Sequence, residues 1–167
     1  DKRKGQVNMV SYFNAGTQWA TAPGNPKKVD PMKPCGLKVA VQKGTVQEEE
    51  DLPAKVKECQ AAGKPLTVLP FTGQDQATAA VATGKADAML ADSPIVAYAV
   101  KQAKGKLEAV GEIYDAAPYG YVVAKDQKDF ADAIVEALKA NDASGSYKKA
   151  LANWGTEGGA ISDFAVN

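Results

Sequence analysis

Several places in the 167-residue sequence carry side chains able to act on a small charged molecule. Asp92, at the head of Asp92-Ser93-Pro94, offers a carboxylate that can hold an ammonium group or cap a helix. Arg3 is the only arginine. Its planar guanidinium suits a carboxylate, although a single arginine near a terminus is by itself a solvated charge. Gly44-Thr45-Val46-Gln47 precedes the acidic run Glu48 to Asp51. Such a start to a helix presents backbone N–H groups and attracts anions, while Thr45 read alone is an N-cap. Histidine is absent, which removes the commonest general base, metal ligand and pH switch. Cys35 and Cys59 lack metal-type spacing, so nothing argues for zinc. A disulfide and two buried thiols both remain open for them.

These residues need a scaffold, and the pattern around them supplies one. Gly84 fits the left-handed residue that ends a helix reaching back to about Gln74. Asp87 to Ala91 is a short apolar strand, and a second helix opens at Asp92, with Pro94 in its first turn. Helix, strand and helix in succession are the parts of an α/β sheet, and Asp92 then lies at a strand's carboxyl end, where open α/β sheets bind ligands. Leu37–Val41 and Leu66–Pro70 read as further buried strands. Between them, Pro53 should kink or divide the helical stretch from Gln47 to Ala62. The helix after Gln74 has a small-residue face at Ala77, Ala80 and Val81.

Tyr12–Ala22 and Leu107–Ile113 read as extended strands, and Pro23–Pro34 as a surface loop. Phe130, Ile134 and Leu138, then Tyr147, Leu151 and Trp154, form helical stripes expected to pack in a core. Apolar residues at 45% and charged residues at 24% describe an ordinary globular domain. The charges sum to zero, so no basic footprint argues for nucleic acid. No apolar run approaches the ~20 residues of a membrane-spanning helix.

The run from the Gln74 helix through Gly84-Lys85-Ala86-Asp87-Ala88 to Asp92-Ser93-Pro94 resembles the second lobe of extracellular solute-binding proteins for polar amino acids, which serve ABC importers. Arg3, followed at the family's spacing by Tyr12-Phe13-Asn14-Ala15-Gly16, and Pro118-Tyr119-Gly120-Tyr121-Val122-Val123, which resembles the family's second crossing strand, extend the resemblance along the chain. It implies a type II periplasmic binding protein-like α/β fold with strands crossing between two lobes. Residues 1–15 would be a remnant of lobe 1, residues 16–118 a complete lobe 2, and residues 119–167 the second hinge strand and C-terminal helices of lobe 1. Most strands of lobe 1 would precede Asp1.

The resemblance further implies that Asp92 grips the ligand's ammonium, Arg3 its carboxylate, and Thr45, Val46 and Gln47 its remaining polar groups. Val46 stands where the family carries a second threonine. Pro34-Cys35-Gly36 and Glu58-Cys59-Gln60-Ala61-Ala62-Gly63-Lys64 match a pair found in actinobacterial-looking members, which implies a Cys35–Cys59 disulfide and an oxidising compartment. The implied function is binding of a polar amino acid by lobe closure, for delivery to an ABC permease. It needs no cofactor, metal or covalent chemistry. The implied location is the outer face of the membrane or the periplasm, with a lipid anchor. Two alternatives use the same scaffold: a cyclohexadienyl dehydratase-like enzyme, with Glu48 to Glu50 as the candidate acids, and a sensory ligand-binding domain.

Overall fold

A computed structural model describes residues 5–167. Its elements are β1 (Val7–Thr21), β2 (Lys38–Gln42), a π-helical turn (Gln47–Asp51), α1 (Leu52–Ala61), β3 (Thr67–Phe71), α2 (Gln74–Ala82), β4 (Ala88–Asp92), α3 (Ser93–Gln102), β5 (Glu108–Ala124), α4 (Lys128–Ala143) and α5 (Ser146–Trp154). Two units are distinct: Gly16–Asp115, and Ala116–Asn167 together with the described residues up to Ala15. The strands β1 and β5 contribute residues to both units.

In the Gly16–Asp115 unit, β2 runs parallel to both β3 and β4, while β1 lies antiparallel to β4. The strand order is β3-β2-β4-β1-β5. The apolar character of β4 follows from burial of both sheet faces. Met89 and Ala91 enter one cluster with Ala77, Ala80, Val81, Val96 and Ala99 of α2 and α3. Ala88 and Leu90 enter the other with Trp19, Val29, Val39, Val41, Leu52 and Cys59. Alternate residues of one strand thus feed opposite layers, as a period of two requires. The second layer is stapled by a Cys35–Cys59 disulfide.

Several elements differ from their sequence expectations. The strand β1 begins at Val7 rather than Tyr12, because Asn8 secures its start by donating from its side chain to the carbonyls of Ala124 and Lys125. The expected strands at Leu107–Ile113 and Pro118–Val123 are one strand, β5. It accommodates left-handed backbone at Gly111 (φ 72°) and Asp115 (φ 51°). Gly111 is doubly constrained, since an added Cβ would lie 2.6 Å from Pro31 Cγ. The loop at Pro23–Pro34 is more than a surface connector. Val29 is buried in it, held by reciprocal hydrogen bonds between its backbone and the Asn25 side-chain amide. Pro53 does divide the helical stretch: α1 starts at Leu52, with Pro53 in its first turn.

The other unit packs α4 and α5 around Val10, Val123, Ala131, Val135, Tyr147 and Phe164. Tyr147 donates its hydroxyl to the carbonyl of Tyr12 and accepts the N–H of Ile161. The α4 stripe is shifted from expectation. Ala131 and Val135 are buried with Ile134 and Leu138 beside them, whereas Phe130 is 59% exposed. One residue is a rotation of about 100° on a helix, which carries Phe130 to the edge of the packed face. Trp154, the last residue of α5, is 55% exposed.

Candidate functional site

The sheet register creates the candidate site within the Gly16–Asp115 unit. Asp92 ends β4, and its partner across the ladder in β1 is Thr17. Gln47, the first residue of the π turn, reaches both: its Nε2 donates to Asp92 Oδ1 at 2.8 Å and to Thr17 Oγ1 at 3.2 Å. Gln47 and Thr17 are each 5% exposed. Beside them the N–H of Gly16 donates to the buried Ser93 Oγ at 3.4 Å. A strand end, its antiparallel neighbour and a helical turn therefore converge on one carboxylate.

The two readings of Asp92 can be compared directly. It occupies the N-cap position of α3 with extended backbone, yet its side chain makes no capping hydrogen bond. Pro94 is the reason at one of the usual partners, because its ring nitrogen has no hydrogen to donate to a cap. The carboxylate turns instead to Gln47. An ionised carboxylate only accepts, so the nitrogen of the Gln47 amide is the atom that faces it.

The residues of the preceding loop have local duties. Thr45 Oγ1 donates to the carbonyl of Gln42 at 2.8 Å and accepts the N–H of Glu48 at 3.3 Å. Glu48 reaches back so that its Oε2 accepts the N–H of Gly44 at 2.6 Å. This is a capping box in all but one atom, the reach-back falling one residue early. The amides of Gly44 and Glu48, expected to attract an outside anion, are thus engaged within the loop. Val46 is 61% exposed. Arg3 lies outside the described residues.

The π turn is fixed at its far end as well. Asp51 Oδ2 accepts the Tyr114 hydroxyl at 2.6 Å, and Asp51 Oδ1 pairs with Lys55 at 2.8 Å. Trp19 Nε1 donates to the Tyr114 hydroxyl at 2.8 Å. Burial, then the hydrogen bond to Asp51, pushes the Tyr114 phenol well above its ordinary value. Sequence reasoning singled out neither Thr17 nor this network. Ser93 stood in plain view beside Asp92, but nothing in the sequence gave it a role. Among the described residues, no cluster of His, Cys, Asp or Glu is placed to hold a metal ion. No helix among them is long and apolar enough to cross a membrane.

No family model matches the chain. It is 36% identical over 168 residues to the arginine-binding protein of Corynebacterium glutamicum, covering 100% of this chain and 55% of that protein. It is 27% identical over 155 residues to an ABC transporter glutamine-binding protein of Bacillus subtilis, covering 92% of this chain and 54% of that one. The chain therefore spans about half the length of the curated relatives it matches. Among solved structures, an ancestral cationic amino acid solute-binding protein superposes with a TM-score of 0.75 at 27% identity, over 92% of this chain and 64% of that one. With a solved ancestral arginine-binding protein bound to glutamine 30% identical over 94% of this chain and 67% of that one, at a TM-score of 0.66, and with a shared mixed α/β fold, the chain belongs to the solute-binding proteins for polar amino acids, built on the type II periplasmic binding protein-like fold.

Proposed function

We propose that the chain forms part of a binding protein that captures a polar amino acid outside the cytoplasm and delivers it to an ABC permease. The observation that carries this reading is the carboxylate of Asp92, held at the end of β4 by Gln47 rather than used as a helix cap. In this reading Asp92 receives the ligand's ammonium, Arg3 pairs with its carboxylate, and the loop at Thr45, Val46 and Gln47 borders the ligand. The names of the relatives favour a cationic amino acid, arginine first, with glutamine the next to test. Lobe closure would be the state an importer reads, since a ligand shifts the population towards the form it contacts most. Further first-lobe residues would complete the site. An extracytoplasmic, lipid-anchored location belongs to the same proposal and suits the Cys35–Cys59 disulfide.

Binding without chemistry is also proposed. Glu48, the first of the candidate acids, is engaged with the Gly44 amide, while Glu49 and Glu50 are exposed. The test is calorimetric titration of the full-length protein with a panel of amino acids, repeated after Asp92→Ala. Saturable binding of a cationic or polar amino acid, lost in the variant, is expected. Turnover of an added acidic substrate, with no amino acid bound, would overturn the proposal.

A further inference from the structure

We infer that Gln47 is a positioning residue, acting on the ligand only through Asp92. The inference rests on the amino-acid-binding reading above and assigns Gln47 a narrower part in it. A side-chain amide has two N–H donors. Gln47 directs one to Asp92 Oδ1 and the other to Thr17 Oγ1, so neither is available to a ligand. The side chain is also buried, at 5% exposure. Its two partners are themselves tied together, because Thr17 and Asp92 are opposite residues of the β1–β4 ladder. The amide thus bridges a pair whose spacing the sheet already sets, fixing the carboxylate's rotation about its own side chain.

The backbone on either side of Gln47 holds the amide in place. Thr45 and Glu48 brace the loop before and after it through Gln42 and Gly44, and Asp51 anchors the other end of the turn to Tyr114. Gln47 is therefore a fixed donor aimed at one oxygen of the carboxylate. A carboxylate held in one orientation binds an ammonium without first losing rotamer freedom, which is the advantage of preorganisation. This part for Gln47 differs from the direct ligand contact that the family resemblance implies.

A double-mutant cycle on the full-length protein tests the inference, using arginine and glutamine as probes in calorimetry. Gln47→Met keeps the side-chain length and removes both donors. It should weaken binding about tenfold, the lower range for a hydrogen bond to a charged group. In an Asp92→Asn background the same change should matter less than about twofold, because the two residues act as a unit. Equal penalties in both backgrounds would make Gln47 an independent ligand contact and overturn the inference. So would unchanged affinity with a lowered melting temperature, which describes a purely structural residue. If Gln47→Met does not fold, Gln47→Asn serves in the same cycle, since a side chain one methylene shorter withdraws the amide from Asp92. Failure of the parent protein to bind either amino acid would overturn the binding reading itself, and this inference with it.

Discussion

A carboxylate at the end of a buried strand needs donors, and at Asp92 the supply from the helix is reduced because Pro94 lacks an N–H. Gln47 meets part of that need from a position 45 residues away in sequence. Asp92→Asn keeps the shape and removes the charge, so arginine affinity should fall ~10- to 100-fold by calorimetry, as expected for a lost charged hydrogen bond. Val46 allows a test in the opposite direction. With 61% of its surface exposed, Val46→Thr should leave the urea midpoint nearly unchanged, within about 0.5 kcal/mol. The restored hydroxyl should raise amino acid affinity, and a fall would remove Val46 from the proposed site. The place of Asp92 at a strand's carboxyl end was legible in the sequence because strand, Asp and Pro are adjacent. That of Thr17 was not, because it depends on the β1–β4 register, and a strand's alternation does not say which residue faces it across the ladder.

Among the elements, the π turn between β2 and α1 was the least readable. A proline and an acidic run announce a helix start, but nothing local marks a shift to the rarer helical spacing. What secures this turn is long-range: Gln47 to β1 and β4 at one end, Asp51 to Tyr114 at the other. By contrast, α2, β4 and α3 followed closely from Gly84, the apolar run and Pro94, whose effects are local. Tyr114→Phe should destabilise the protein by ~1–3 kcal/mol in urea unfolding, because the fully buried Trp19 loses its acceptor.

The raised Tyr114 pKa fixes the sign of an alkaline effect. The folded state holds this proton more tightly than the unfolded chain, so the associated stability is complete below about pH 10 and is lost as pH rises above it. The urea midpoint should therefore fall in alkali, and less steeply in Tyr114→Phe. Tyr12, raised by burial and then by Tyr121, leaves a residual slope. Opening the disulfide with Cys35→Ser and Cys59→Ser should remove ~3 kcal/mol in the chain-entropy model, given the 24-residue separation. An unchanged midpoint after reduction would contradict that.

For the whole molecule, β1 and β5 are the strands that contribute residues to both compact units. The α/β class followed from sequence because each strand–helix alternation is written in apolar runs and breakers. The packing of α4 was less readable, since a stripe of large residues suggested Phe130 where the core took Ala131 and Val135. The central claim is that the carboxylate held by Gln47 receives an α-ammonium group. It is tested most directly by titrating the full-length protein, and its Asp92→Asn variant, with arginine and with the arginine analogue lacking the α-amino group. The account predicts that the parent binds arginine at least about tenfold more tightly than the analogue, and that the variant binds the two alike. Equal binding of both ligands by the parent would contradict it.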